Sequence, residues 1–417
     1  VDVACPDARQ PAYRAVAALA RTGVLGRFHT AYYHNGARWP EGWLRGVAPK
    51  RAERLGALLR RRFDQEIPVA RVNSHPFVDL MSAAENRCAS PGLRRLLAVR
   101  RTEQFDRVLA HSIESNPPDS LLLFSDVGSV HTISTCKRLG IPVCLSVVHG
   151  DPDEEVEILE REANRSPDFY SLYLGDGRLD LEEIRWLHAR RKREAEQADL
   201  LLVPSEHIAA RLVQRGIACD RIRVIPYAAD LARFHSAPKT ENRSGCTFVF
   251  AGALTQRKGI KYLIEAWSKV YRPGWSLWLV GAPPRRLGPL AEMLQRPGIQ
   301  VLGPMSHSDV PKRLASADVF VFPSLFEGSA VVTYEAMACG LPSIVTANAG
   351  SVARDGIEGL IVPAAEVEPL AHAMEQLGGD PELRHRYGQA ARRLAETFSW
   401  HRYGQAVVEA TETARVS

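Results

Sequence analysis

Short apolar runs rich in branched side chains alternate with helix-period segments along the whole chain. In the first half the runs are Val1 to Ala4, Phe28 to Tyr33, Ser120 to Phe124, Pro142 to Val148, Leu200 to Val203 and Ile222 to Ile225. In the second half they are Thr247 to Ala251, Ser276 to Val280, Ile299 to Leu302, Val319 to Phe322, Ser343 to Val345 and Leu360 to Val362. Strands separated by helices point to doubly wound α/β layers, and the two sets predict two sheets. Between them Ser236 to Gly245, SAPKTENRSG, has the polar, Pro- and Gly-containing composition of a linker. Helical patterns near Glu366 to Leu377 and Pro381 to Thr397 precede Ser399, a serine placed to cap one more helix.

The chemistry gathers around one segment, Pro323 to Gly350. The strand Val319 to Phe322 feeds a loop with Glu327, Gly328 and Ser329, then a helix beginning near Ala330 and closing around Cys339 and Gly340. Gly328 admits close backbone approach, Ser329 is placed to cap the helix, and the N–H groups of Ala330, Val331 and Val332 would face an anion at the positive helix end. Glu327 and Glu335 flank seven residues, about 12 Å along a helix axis. That exceeds the spacing of paired glycosidase carboxylates, about 5 to 9.5 Å. It suits one elongated ligand with hydroxyls at both ends and a diphosphate between, or else two solvated glutamates on a surface helix.

This segment resembles the Glu-x7-Glu motif of retaining glycosyltransferases of family 4, whose fold, GT-B, sets two Rossmann-like doubly wound parallel-sheet domains across a cleft. The resemblance implies Glu327 at the transferred sugar and Glu335 at the nucleotide ribose. It covers most of residues 120 to 400 and is strongest from Phe248 to Pro363. FVFAGALTQRKG, Phe248 to Gly259, resembles the family's strand, glycine loop and Lys-Gly. Arg257 and Lys258 would there hold the donor diphosphate as it leaves. Two cations at a helix start also oppose the helix dipole, which a bound anion would relieve; the alternative is a solvated basic loop.

Gly252, Gly281 and the turn at Gly303 to Met305 end parallel strands and should line the same crevice, and by resemblance the base packs near Pro304 and Met305. His149, after the strand Pro142 to Val148, would meet the sugar being transferred; alone it reads as a hydrogen-bonded strand-end histidine. Asp151 serves either the acceptor side or a helix cap. Many family members carry Gly-Gly after the first strand, where this chain has Cys5 to Pro11. Arg9 and Gln10 are the candidate replacements on the acceptor side, unless the loop is an ordinary turn.

Three domains of sequence follow: 1–235 on the acceptor side, 236–398 binding nucleotide sugar, and 399–417 as a helix that the family sends back to the first domain. Composition adds bounds. The 417 residues, 45% hydrophobic and 24% charged, are ordinary globular material. Seven cysteines without Cys-x-x-Cys or zinc spacing read as reduced, mostly buried thiols, hence a cytoplasmic setting. No membrane-spanning run or signal-peptide core is evident. The net charge of +5 is uneven, since residues 45–62 hold Arg45, Lys50, Arg51, Arg54, Arg60, Arg61 and Arg62 against one acid, Glu53. That segment suits peripheral contact with an anionic membrane at its inner face, or a solvated arginine-rich helix face. No nucleic-acid module accompanies it.

The expected activity is transfer of a sugar from a nucleoside-diphosphate sugar to an acceptor hydroxyl, lipid-linked or saccharide, in surface polysaccharide, glycolipid or glycoside synthesis. The donor is a substrate and no cofactor is implied. No metal cluster is read at a strand end, so Arg257, Lys258 and helix N–H groups are expected to stabilise the leaving group without a metal. No second carboxylate is evident on the far face of the sugar site, which favours front-face substitution. A dehydrogenase would need a G-x-G-x-x-G fingerprint, which is absent. A non-catalytic nucleotide-sugar or anionic-lipid-surface binding protein of the same fold is the rival.

Overall fold

A computed structural model describes residues 1–7, 9–34, 62–88, 90–174, 180–236, 245–306 and 308–416. Most of the basic segment 45–62 and most of the linker 236–245 lie outside these residues. The first sheet is built from β1 (Asp2–Ala4), β2 (Phe28–Thr30), β3 (Val72–Ser74), β4 (Leu121–Phe124), β5 (Val143–Ser146), β6 (Leu200–Val203) and β7 (Ile222–Val224). The second comprises β8 (Thr247–Ala251), β9 (Ser276–Val280), β10 (Ile299–Gly303), β11 (Val319–Phe322), β12 (Ser343–Thr346) and β13 (Gly359–Val362). Each of the twelve apolar runs becomes a strand. β3 does not read as one in the sequence, because Val-Asn-Ser is short, polar and only partly buried at the sheet edge.

Every pairing between these strands is parallel, in the orders β3-β2-β1-β4-β5-β6-β7 and β10-β9-β8-β11-β12-β13. Central strands such as β4, β6 and β11 are buried at every residue. Helices cover both faces of such sheets, so the runs are continuously apolar rather than alternating. The strand order reverses between β1 and β4 in one sheet and between β8 and β11 in the other. Ligands sit beyond the carboxyl ends at such switch points. The loops so placed begin at Cys5, Ser125, Gly252 and Pro323.

The final helix, Trp400–Val416, lies against the helix Gln10–Arg21 of the first domain. A Cβ added at Gly404 would come within 2.4 Å of the Ala18 Cβ, so the backbones meet closely. Tyr403 packs edge-on to Tyr227, with ring centroids 5.8 Å apart. The Ser399 hydroxyl accepts from the Arg402 N–H at 3.1 Å, tying down this helix start. Among the described residues no helix is long and apolar enough to cross a membrane. All seven cysteines are free thiols, five of them buried.

Candidate functional site

The carboxyl end of β8 turns through Gly252 into the short 3-10 turn Gln256–Lys258, and the helix Ile260–Val270 follows. Gly259 joins turn to helix at φ +74°, where a Cβ would stand 2.0 Å from the Pro323 carbonyl oxygen. Only glycine allows that contact, which sets Arg257 and Lys258 beside the loop after β11. The Leu325 N–H and the Ser324 hydroxyl both donate to the Arg257 carbonyl, at 2.8 and 3.2 Å. The cations therefore sit on fixed backbone.

Their charges converge on Glu327. Lys258 Nζ is ion-paired with its Oε1, and Arg257 Nη2 lies 3.6 Å from its Oε2. The Ser324 hydroxyl donates to the same carboxylate at 3.4 Å, and Arg257 Nε donates to the Phe326 carbonyl at 3.0 Å. Burial pushes the Glu327 carboxyl up, but Lys258 and Arg257 outweigh it and hold the group ionised below its usual range. Burial and the neighbouring Arg257 pull the Lys258 ammonium down against Glu327. The result is two cations converging on one anion in a partly buried loop, with Glu155 also acting on Arg257, an arrangement whose cations suit a phosphate.

Two sequence expectations for the helix start change. Ser329 does not cap it: its hydroxyl donates to the Gly350 carbonyl at 2.7 Å, and Ala330 takes the cap position without a side-chain bond. The Ala330 N–H is also engaged, donating to Ala349 at 3.0 Å. Because the helix begins at Val331, the N–H groups of Val331 and Val332 are the ones left without intrahelical partners. Glu335 lies one turn further on, half-buried, with no hydrogen-bond or ion-pair partner for its carboxyl among the described residues. Burial, opposed by Arg233, pushes that carboxyl up to about 7.

Gly281 follows β9 at φ +147°, its backbone so close to Gly252 that a Cβ would stand 1.8 Å from the Gly252 oxygen. The two glycines thus meet at adjacent strand ends. Pro304 and Met305, after β10, line an open groove of about 550 Å³ together with Asp309 and Arg313. The Arg313 guanidinium sits over Trp278, 4.7 Å from the ring centroid.

The first domain meets this loop directly. A Cβ at Gly328 would lie 2.2 Å from the Val148 carbonyl oxygen, and one at Gly150 would lie 2.4 Å from the Phe326 ring. The Ser205 hydroxyl donates to the Gly328 carbonyl at 2.9 Å. Further along the boundary, Glu162 is completely buried and accepts from the Tyr262 hydroxyl at 2.7 Å and from the Gln256 amide. Asn348 donates to Glu154 at 2.9 Å. These groups come from chain segments far apart in sequence, and no local pattern marks them.

His149 follows β5 and sets Nε2 2.9 Å from Asp126 Oδ2. Burial and Arg191 pull the imidazole down to about 4 despite that carboxylate, so the ring is neutral at physiological pH. Asp126, at φ +77° in the loop after β4, also pairs with Arg191 Nε at 2.9 Å and faces Arg9 Nη2 at 3.7 Å. Its N–H donates to the fully buried Glu194 at 2.8 Å. Sequence reasoning missed Asp126, although an acid two residues past a central parallel strand is a legible signal.

The remaining acceptor-side candidates separate. Arg9 donates to Asp7 at 2.8 Å and reaches the Ser125 carbonyl at 3.4 Å, at the first switch point. Gln10 is exposed at the start of its helix. Asp151 is buried and engaged elsewhere, a correction to its acceptor-side reading. Its Oδ1 accepts from the N–H groups of Asp153 and Glu154 at the helix Pro152–Arg165, and Arg215 pairs with Oδ2 at 2.9 Å.

Comparison with known proteins agrees with this architecture. Residues 245–380 match the model of the family described as glycosyl transferases group 1. The chain is 30% identical over 238 residues to a D-inositol 3-phosphate glycosyltransferase of Saccharomonospora viridis, covering 51% of this chain and 55% of that protein. It is 28% identical over 290 residues to an MMP alpha-(1->4)-mannosyltransferase of Mycolicibacterium hassiacum, covering 66% of each. The chain thus spans between about half and two thirds of these two relatives' lengths.

Among solved structures, sucrose-phosphate synthase from Thermosynechococcus elongatus superposes with a TM-score of 0.66 at 17% identity, over 99% of this chain and 98% of that one. Anabaena HepE in complex with UDP-glucose superposes with a TM-score of 0.63 at 14% identity, over 99% of both. The second sheet and its helices, which hold Arg257, Lys258, Glu327 and Glu335, therefore form a glycosyl transferases group 1 domain, within a chain of GT-B fold.

Proposed function

We propose that the chain is a retaining, family 4 glycosyltransferase that moves a sugar from a nucleoside-diphosphate sugar to an acceptor hydroxyl without a metal. The observation that carries this reading is the convergence of Lys258 and Arg257 on Glu327 beside a helix start, with the first domain packed against the same loop. The names of the relatives and the UDP-glucose complex of HepE support it.

In this reading Arg257 and Lys258 take the diphosphate, assisted by the Val331 and Val332 N–H groups. Glu327 holds hydroxyls of the sugar, Glu335 those of the ribose, and the base lies near Pro304 and Met305. Transfer breaks the bond from the anomeric carbon to the phosphate oxygen, whose electron pair leaves with the diphosphate. The acceptor oxygen bonds to the same face of that carbon, and its proton passes to the departing phosphate oxygen. His149, neutral and with its Nε2 2.9 Å from Asp126, borders the sugar. As diphosphate charge grows, Lys258 exchanges part of its contact with Glu327 for the leaving oxygen.

The test is incubation with labelled nucleotide sugars of several bases, with and without EDTA, and NMR of the product anomer. Turnover, or slow donor hydrolysis, with retained configuration and no effect of EDTA is expected. Binding without any turnover would instead identify a nucleotide-sugar binding protein.

A further inference from the structure

The first switch point holds a crevice of about 190 Å³ between the loops after β1 and β4 and three helices, Phe77–Arg87, Pro91–Ser115 and Leu181–Gln197. Its chemistry is two-sided. Val78, Ala98, Phe105, Trp186 and Leu187 make an apolar floor. Arg9, Arg101, Asp7, Asp126 and Glu183 make a charged rim. Ser125 and Asp126 lie at the end toward the cleft, and Asp126 is the residue that contacts His149 at 2.9 Å.

The rim's cations are already committed. Arg9 is paired with Asp7 at 2.8 Å and faces Asp126 at 3.7 Å. Arg101 Nε is 3.2 Å from Glu85. Three carboxylates on the rim stand against these two guanidiniums. Burial, with Glu85 and Asp180 nearby, pushes the Glu183 carboxyl up against the opposing pull of Arg94 and Arg101. A phosphate entering here would lose its hydration and find the two rim guanidiniums already facing carboxylates, a costly exchange. A flat apolar group would instead lie against the partly exposed Trp186 and Leu187 while sugar hydroxyls reach the polar rim.

We propose that this crevice binds the acceptor, and that the acceptor is an uncharged glycoside bearing a flat apolar substituent rather than a phosphorylated sugar. The word acceptor rests on the glycosyl-transfer reading, but the binding preference does not. It also separates this chain from relatives whose names specify a phosphorylated acceptor.

Titration calorimetry of the whole chain with phenyl β-glucoside and with glucose 6-phosphate tests it without requiring turnover. Phenyl glucoside should bind at least about tenfold tighter than glucose 6-phosphate. Ala98→Phe should fill the floor and abolish phenyl glucoside binding while nucleoside-diphosphate binding persists, which also shows that the variant is folded. Glu183→Lys supplies a cation at the rim and should narrow the preference about fivefold or more. Tighter binding of glucose 6-phosphate to the unaltered chain would overturn the proposal, as would a preference that Glu183→Lys leaves unchanged. Failure of every nucleotide sugar to turn over would count against the glycosyl-transfer reading alone.

Discussion

Lys258 and Glu327, sixty-nine residues apart in sequence, form an ion pair in the loop that faces the first domain. The contact joins the group proposed to hold phosphate to the group proposed to hold sugar. Each is thereby oriented before a donor arrives, and neither can be altered without disturbing the other.

Glu327→Gln should lower kcat by about 100-fold, the effect of a misplaced reacting group. It keeps the shape of the side chain but removes the charge that balances Lys258 and Arg257, so thermal stability should fall as well, by about 3 kcal/mol for a broken buried pair. Steady-state kinetics and thermal unfolding of the same variant separate the two effects. Full activity in Glu327→Gln would remove this residue from the sugar site.

Glu335 should make nucleotide binding depend on pH. Its carboxyl is pushed up to about 7 from the ordinary 4.5. Between those values the folded chain holds a proton that the unfolded chain has lost, so this group's stability contribution is present below about 4.5 and declines as pH rises toward about 7. Ribose hydroxyls donate to the ionised form, so nucleoside-diphosphate affinity should increase over the same rise. Glu335→Gln should weaken binding about tenfold at pH 8 and flatten its pH profile relative to the parent chain, as read by calorimetry. An unaltered profile would exclude the ribose role.

Gly328→Ala tests how closely the domains must meet. The added methyl would stand 2.2 Å from the Val148 carbonyl oxygen, a backbone atom with no flexible end to move. Parting of the two loops should cost about 1–3 kcal/mol and most of the transfer activity, while nucleotide binding to the second domain survives. Thermal unfolding and donor titration read the two outcomes independently.

Tyr262→Phe tests the buried bridge away from the site. Its hydroxyl donates to Glu162 at 2.7 Å, and Glu162 has no access to water. Removing a hydrogen bond to a buried carboxylate should destabilise the chain by about 1.5–3 kcal/mol. Donor affinity should change little, because Tyr262 touches neither Lys258 nor Glu327. Chemical denaturation with constant m-value is the check.

The sequence by itself determined the layers and the loops that carry Arg257, Lys258, Glu327 and His149. Buried parallel strands must be apolar throughout, so β4, β6 and β11 announce themselves, and the residues just past such strands are necessarily at a crevice. His149 is legible that way, whereas Arg257, Lys258 and Glu327 are legible through the spacing and resemblance of their loops. Tertiary structure decided what each group meets. Ser329 carries a good local signal for a helix cap, yet the turn at Ala349 and Gly350 takes its hydroxyl and the Ala330 N–H instead. Asp151 faces a helix end and Arg215 rather than the cleft. The linking of Asp126 to His149, of Glu162 to Tyr262, and of Arg9 to Asp126 depends on loops from separate strands arriving together. Electrostatic energy falls off over a few ångströms, and chain order alone carries no such distances.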